Sequence, residues 1–132
     1  MYVEPSALVA ILLEESDGDQ LLAKLVQAEH PIISVIGKVE ATLSVGKSIR
    51  DYAVAAGKIS ETLERLEVEV ADVPADIFDE VVKCYVRYGR GTGHAAKLNF
   101  GDCFSYAMAR RFADGLILFK GGDFSKTDLT SA

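Results

Sequence analysis

Four carboxylates in this sequence lie among apolar neighbours, where an unpaired charge is costly to place. They are Glu4, Glu40, Asp102 and Asp123. A set made only of oxygen ligands suits Mg²⁺ or Mn²⁺ rather than Zn²⁺. Carboxylates that converge repel one another, so they persist where a hard cation neutralises them or where protons are retained. A bound cation can also activate water to attack a phosphodiester. If the fold gathers these residues, they therefore predict a metal-dependent hydrolase of phosphodiesters.

The first two acids each have a structural alternative. Glu4 directly follows the short strand predicted at Tyr2-Val3, where an acid also favours the next helix N-terminus. Glu40 lies between Ile36 and Leu43 on the apolar stripe of a predicted helix. A carboxylate on such a stripe is paired with a basic residue or binds a cation. Both readings stay open at the level of sequence.

The other two acids lie in the C-terminal part of the chain. Asp102 is three residues after Asn99, so it is suited to the first turn of a helix that Asn99 caps. Asp123 follows the apolar strand predicted at 116–119 and two glycines, and this is also ordinary turn chemistry. Asp128 comes five residues later and is a possible outer member of the same cluster.

Helices alternate with short apolar strands along the whole chain, which predicts an α/β fold. The expected architecture has three layers, α/β/α, around a mainly parallel sheet. Ser6 and Ser34 are predicted helix N-caps. Strands are expected at 2–4, 68–73 and 116–119, and 32–33 is a strand or a helix entry. Helices are expected at 8–13, from 21 to near His30-Pro31, and at 34–56, 60–67, 76–88 and 99–113. Functional sites of such sheets lie beyond the carboxyl ends of the strands, which is where Glu4 and Asp123 fall.

Composition limits the class of protein. The chain has 132 residues, enough for one domain, and 14 basic against 20 acidic residues give a net charge of −6. A generally polyanion-binding surface is therefore not expected. The sequence has no apolar run of the roughly 20 residues that a membrane span needs, and no basic leader. Cys84 and Cys103 form no CxxC motif, so we expect reduced core thiols in a cytoplasmic protein.

Four strings carry a resemblance to a known family. They are Val-Glu-Pro-Ser-Ala-Leu at 3–8, Val-Glu-Ala at 39–41, Leu-Asn-Phe-Gly-Asp-Cys-Phe-Ser-Tyr-Ala at 98–107, and Leu-Phe-Lys-Gly-Gly-Asp-Phe at 118–124 with Thr127 and Asp128. In order and spacing they resemble the acidic motifs of PIN-domain ribonucleases of the VapC toxin type. The match covers nearly the whole chain, and its last two strings are the specific ones.

The resemblance implies one PIN-like domain over 1–132 and endoribonuclease activity. It implies one or two Mg²⁺ or Mn²⁺ ions held by the four motif acids, which are Glu4, Glu40, Asp102 and Asp123. It gives supporting roles to Ser6, Asn99, Thr127 and Asp128. It also implies an RNA substrate, a cognate antitoxin protein and a homodimer.

Two positions depart from the family pattern. Glu4 replaces the usual Asp, and Gly122 stands where a polar or acidic residue is usual. An extra methylene moves a carboxylate by about 1 Å, whereas catalytic geometry tolerates about 0.5 Å. The alternative hypothesis is therefore a catalytically silent PIN-fold protein that acts by binding RNA or the antitoxin.

A phosphatase of the haloacid dehalogenase class is a further alternative. Lys120 and the stretch from Asp123 to Asp128 resemble the metal-binding end of that class. Its chemistry uses an Asp nucleophile in a D-x-D motif after the first strand. This chain has Glu4-Pro5-Ser6 there, which disfavours the hypothesis.

A basic segment precedes Asp102. Residues 81–101 contain no acid and include several cations and glycines. Arg87, Arg90 and Lys97 are the predicted contacts to RNA phosphates. The structural alternative is a solvated helix end and loop.

Overall fold

The computed structural model describes all residues from 1 to 132 and contains six α-helices and five short strands. The strands are β1 (Tyr2–Val3), β2 (Ile32–Ser34), β3 (Glu69–Ala71), β4 (Leu116–Leu118) and β5 (Thr130–Ser131). The helices are α1 (Pro5–Leu12), α2 (Gly18–Val26), α3 (Val35–Ile49), α4 (Tyr52–Arg65), α5 (Phe78–Tyr88) and α6 (Phe100–Phe112). Two 3₁₀ turns are present at Ala75–Ile77 and Phe124–Lys126.

The five strands form one parallel sheet in the order β3-β2-β1-β4-β5. Both side chains of the central strand, β1, are buried. They lie on opposite faces of the sheet, because neighbouring side chains of a strand point to opposite sides. Tyr2 packs into one hydrophobic cluster with Met108 and Ile117, and Val3 packs into the other with Leu8. Helices thus cover both faces, and the predicted three-layer α/β/α fold is confirmed.

The boundaries predicted for the helices at 34–56 and 60–67 are wrong. The first ends at Ile49, where Arg50 adopts a left-handed conformation with φ of 58°. Asp51 then caps a new helix by accepting the amide N–H of Val54 at 3.0 Å. The chain therefore doubles back into an α3–α4 hairpin where apolar periodicity indicated one continuous helix.

Gly46 makes this hairpin possible. A Cβ built at Gly46 would lie 2.4 Å from Cδ1 and 3.0 Å from Cα of Tyr52. Any larger residue would push the first turn of α4 away from α3. The glycine that sequence reading interprets as a weak point in a long helix is instead a point of close helix packing.

Smaller corrections concern the ends of helices and strands. The helix expected to end near His30-Pro31 ends at Val26. Ser6 was the expected cap of the first helix, but that helix begins at Pro5 and its N-cap is Glu4. The strand expected at 68–73 narrows to β3, and the one at 116–119 ends at Leu118. Strand β5 was not predicted, because a two-residue exposed strand carries no apolar pattern. None of the helices has the length and apolar character that crossing a bilayer requires.

Candidate active site

A cavity of about 330 Å³ opens where β1 and β4 end. Three of the four predicted acids line it, each from a different part of the chain. Glu4 follows β1, Glu40 lies in α3, and Asp102 lies in the first turn of α6. The other lining residues are Pro5, Ser6, Val9, Glu15, Ser44, Asn99 and Lys120. The structure thus gathers the carboxylates at the carboxyl edge of the sheet.

Glu4 is buried, with 7% of its surface exposed. Its Oε2 accepts the backbone N–H of Ser6 at 2.8 Å and also the Ser6 hydroxyl. Ser6 Oγ accepts the backbone N–H of Lys120 at 2.9 Å, which joins the ends of β1 and β4. Pro5 fits this cap because the first position of a helix has no use for an N–H. Glu4 therefore caps the N-terminus of α1 and also lines the cavity.

The pKa of Glu4 is raised to about 7. Burial is the largest cause, because it removes water from around the charged form. The hydrogen bonds from Ser6 oppose this shift, and the neighbouring charges of Asp102 and Glu40 add to it. These three carboxyl groups therefore stand close enough to repel one another.

Asp102 and Asn99 form a reciprocal capping box at the start of α6. Asn99 Oδ1 accepts the amide N–H of Asp102 at 2.9 Å, and Asp102 Oδ2 accepts the amide N–H of Asn99 at 2.7 Å. This interaction is the helix-terminal role that the spacing predicted, and it also fixes the direction of the carboxylate. Burial raises the pKa of Asp102, with a further contribution from Asp123, while the Asn99 hydrogen bond and Arg90 lower it.

Glu40 reaches the cavity across the backbone of Gly101. A Cβ at Gly101 would stand 1.9 Å from Glu40 Oε1 and 2.6 Å from Cδ, so only glycine leaves this space. Glu40 makes no ion pair, which removes the structural alternative of a basic partner. Burial raises the pKa of this carboxyl, and the adjacent Asp102 raises it further. Glu40, on the apolar stripe of α3, is thus an acid without a basic partner that lines the cavity.

The fourth acid stands outside the cavity lining. Asp123 is exposed and precedes the 3₁₀ turn Phe124–Lys126, after Gly121 in a left-handed conformation with φ of 93°. Its charge nevertheless raises the pKa of Asp102, so Asp123 lies within electrostatic range of that carboxylate. Asp123 therefore stands near the rim of the cavity rather than among its lining acids.

The structure does not bring Thr127 and Asp128 to the cavity. The Thr127 hydroxyl donates to the carbonyl oxygen of Phe124 at 2.7 Å and so closes the 3₁₀ turn. Asp128 Oδ1 accepts the Tyr106 hydroxyl at 2.7 Å, and its Oδ2 lies 3.4 Å from Arg87 Nη1. Burial opposes the ionised form of Asp128, but hydrogen bonds from Tyr106 and Tyr88 and the charge of Arg110 lower the pKa of this carboxyl.

The three predicted RNA-contacting cations have different surroundings. Arg90 is exposed and close enough to Asp102 to lower the pKa of that carboxyl. Arg87 pairs with Asp128 and lies 4.7 Å over the ring of Tyr88. Lys97 is exposed in a loop whose ends are joined by the hydrogen bond from Arg90 N–H to the Leu98 carbonyl at 2.8 Å. Of these three cations, Arg90 is thus the one whose charge acts on a carboxylate of the cavity.

Lys120 is a lining residue that sequence reasoning did not assign to the site. Its ammonium pairs with Glu15 and, at 3.2 Å, with Asp17, and it ties the α1–α2 loop to the end of β4. From the sequence alone, Glu15 and Asp17 are typical of a solvated turn. The available signal was position, because Lys120 follows the predicted strand 116–119 directly.

The donor set of the cavity fits a hard divalent cation. Four carboxyl groups line it, and Glu15 among them is paired with Lys120. Burial raises the pKa values of Glu4 and Glu40, and their neighbours' charges raise them further. No three acidic, His or Cys side chains meet at metal-ligand spacing, so the carboxylates are adjacent rather than convergent. Like charges in one partly buried cavity are what a divalent cation neutralises.

Comparison with known proteins assigns the family. The PIN domain family model matches residues 1–129. Ribonuclease VapC42 of Mycobacterium tuberculosis is 35% identical over 132 residues, covering 100% of this chain and 98% of its own length. Ribonuclease VapC30 of the same organism is 36% identical, with 99% and 97% coverage. The chain belongs to the PIN domain family, among the VapC ribonucleases.

The solved structure of Mycobacterium tuberculosis VapC20, described as a sarcin-ricin loop cleaving toxin, has the same fold. The TM-score is 0.76 at 18% identity, over 98% of this chain and 95% of that one. The resemblance read from the four strings is therefore confirmed. In this VapC chain the longer side chain of Glu4 folds back on Ser6, which keeps its carboxylate beside Asp102 and Glu40.

We expect the stability of the metal-free protein to fall as the pH rises from about 4.5 through about 7. Glu4 binds its proton more tightly in the folded state than in the unfolded state, so deprotonation favours unfolding in this window. The contribution is at most about 3 kcal/mol. Urea unfolding at pH 5 and pH 8 in EDTA measures it. Glu4→Gln should remove this part of the pH dependence, and the exposed Glu29→Gln should retain it. Equal pH dependence in Glu4→Gln and wild type would contradict the expectation.

We expect Gly101→Ala to displace the Glu40 carboxylate without unfolding the protein. The contacted atoms are the flexible end of a side chain, so the chain can relax by moving Glu40 away from Asp102. RNA cleavage should fall by roughly tenfold or more, since reacting groups tolerate little misplacement. Gly57→Ala is the matched control, because a Cβ there contacts nothing within 4 Å. Cleavage at the wild-type rate in Gly101→Ala would show that Glu40 needs no such space.

Proposed function

We propose that this chain is the toxin of a toxin–antitoxin pair and hydrolyses RNA phosphodiester bonds with one or two Mg²⁺ or Mn²⁺ ions. The observation that carries the proposal is the cavity in which Glu4, Glu40 and Asp102 meet from three separate elements. The ion, when bound, would polarise a phosphate oxygen and lower the pKa of an attacking water. Membership of the VapC ribonucleases supports RNA as the substrate.

Different residues of the chain have different proposed roles in this reaction. Glu4, Glu40 and Asp102 would hold the cation, and Asp123 would approach from the rim, where it already acts on Asp102. Ser6 orients Glu4, and Asn99 orients Asp102, through the hydrogen bonds described above. For Thr127 we propose an indirect role, because its bond to Phe124 closes the turn that begins at Asp123. Asp128 would support the same segment through Tyr106.

RNA would approach along the side of the cavity that carries Arg90. The chain is acidic overall, so attraction for RNA has to be local. Arg90, beside Asp102, would contact a phosphate next to the cleaved one, and Arg87 and Lys97 would contact phosphates farther along. Such contacts position the RNA and carry no base specificity.

Partner proteins form a separate part of the proposal. We propose a homodimer and a cognate antitoxin, as the family membership suggests, in the cytoplasm. An apolar groove of about 290 Å³ between α5 and α6 supports an interface, since all eight residues lining it are hydrophobic. Phe78 and Phe100 at this groove are 68% and 71% exposed. Exposed apolar patches of this kind mark interaction sites.

A catalytically silent binding protein is the second candidate. The observation that favours it is the use of Glu4 Oε2 as a helix cap, which binds the side chain to Ser6 rather than leaving it open to a cation. A silent member would bind RNA or the antitoxin without turnover. The same experiment separates the two functions.

We expect discrete RNA cuts in Mn²⁺ or Mg²⁺, none in EDTA, and a loss of more than about 100-fold in Asp102→Asn. Asn can still accept the amide N–H of Asn99, so the variant should fold. The assay uses purified protein without antitoxin, a mixed tRNA and rRNA pool, and sequencing of new RNA ends. Asp19→Asn, on the exposed face of α2, is the control.

Glu4→Asp decides between the two functions. Cuts by the wild type would exclude the silent protein, whereas cuts only by Glu4→Asp would establish it. Cleavage that survives both EDTA and Asp102→Asn would refute a metal-dependent mechanism.

A further inference from the structure

The core of this protein contains very few polar side chains. The buried polar or charged ones are Glu4, Ser34 and Ser105, the two serines being 0% and 2% exposed. Both serines contact one hydroxyl, that of Tyr2, whose residue is 0% exposed in the middle of the sheet. The two buried serines and Tyr2 thus form one small hydrogen-bonded network in the core.

The Tyr2 hydroxyl contacts both serines. Tyr2 Oη and Ser34 Oγ lie 2.9 Å apart, where either hydroxyl can donate to the other, and Ser105 Oγ donates to Tyr2 Oη at 3.5 Å. Ser34 Oγ also accepts the amide N–H of Gly37 at 3.0 Å and so caps α3. Tyr2 therefore binds the cap of one helix and the interior of another.

These contacts join the three elements that position Glu4, Glu40 and Asp102. Tyr2 is in β1, two residues before Glu4. Ser34 ends β2 and caps the N-terminus of α3, which carries Glu40. Ser105 lies in α6, one turn after Asp102. One hydroxyl thus connects the elements that position Glu4, Glu40 and Asp102.

Gly37 permits this close junction. A Cβ at Gly37 would lie 3.1 Å from Tyr2 Oη and 3.0 Å from Ile33 Cγ1, tighter than ordinary contact. The first turn of α3 therefore rests on the Tyr2 hydroxyl itself. A phenylalanine would fill nearly the same volume without the directional bonds.

Directional bonds have a different effect from apolar packing. Apolar contacts tolerate small shifts of one helix over a sheet, whereas a satisfied buried hydrogen-bond network favours one arrangement. Carboxylates that repel one another need such a constraint, since a bound cation requires their oxygens at defined distances.

We propose that Tyr2 is a positioning residue, whose hydroxyl sets the spacing of Glu4, Glu40 and Asp102 and thereby the affinity of the cavity for a divalent cation. This inference rests on the proposed metal-dependent function. Tyr2 touches neither the cation nor the RNA in this role, and it acts through β1, α3 and α6.

The test is Tyr2→Phe, with Mn²⁺ binding measured by calorimetry on the folded, antitoxin-free protein. We expect the Mn²⁺ dissociation constant to rise on the order of tenfold, as when an outer partner of a metal ligand is removed. The Mn²⁺ concentration for half-maximal cleavage should rise in parallel, while KM for RNA at saturating Mn²⁺ stays unchanged. Tyr52→Phe is the control, since Tyr52 is 56% exposed on α4.

Ser105→Ala provides a second variant that removes a single hydroxyl from the same network. It should weaken Mn²⁺ binding several-fold, and the double variant should bind no more weakly than Tyr2→Phe alone. If Tyr2→Phe fails to fold, Ser105→Ala carries the test. A variant that is less stable but binds Mn²⁺ like the wild type would overturn the inference.

The proposed function fails in a different way. If the wild type binds no Mn²⁺, or binds it equally well after Asp102→Asn, the metal site itself is wrong. If Asp102→Asn abolishes binding while Tyr2→Phe and Ser105→Ala leave it unchanged, only the role of Tyr2 is wrong.

Discussion

Electrostatic repulsion among carboxylates is the constraint on which this site depends. Glu4, Glu40 and Asp102 line one cavity, where burial raises the pKa values of Glu4 and Glu40 and the charges of their neighbours raise them further. Without a constraint from the fold, these carboxylates would turn outward, where water solvates their charges. The protein holds them inward with hydrogen bonds to Glu4 and Asp102 and with the absence of a side chain at Gly101. The fold therefore stores an arrangement that a cation would stabilise.

The parallel sheet is what makes this arrangement reachable. Strands that run in one direction end at one edge, and the helices that follow them begin there. In this chain α1 follows β1 and α3 follows β2, so Glu4 and Glu40 start from adjacent strands. The packing of α6 against α3 then brings Asp102 beside Glu40, whose carboxylate lies against the backbone of Gly101. Residues far apart in sequence meet because of topology rather than local preference.

Several features were visible in the sequence because they leave a local pattern. The acids stood out against apolar neighbours, Asn99 and Asp102 had capping-box spacing, and the four strings identified the family. Other features leave no such pattern. The end of α3 at Ile49 depends on Gly46 letting Tyr52 approach, and a periodicity of apolar residues continues smoothly through that point.

The sequence by itself determined the α/β class, the family, and which carboxylates are candidates for chemistry. Only the tertiary structure decided that Glu4 caps α1, that Asp128 bonds Tyr106 away from the cavity, and that Lys120 lines it. The physical reason is range. Periodicity and capping record what a residue needs from its near neighbours in the chain, whereas these contacts depend on how separate elements pack in space.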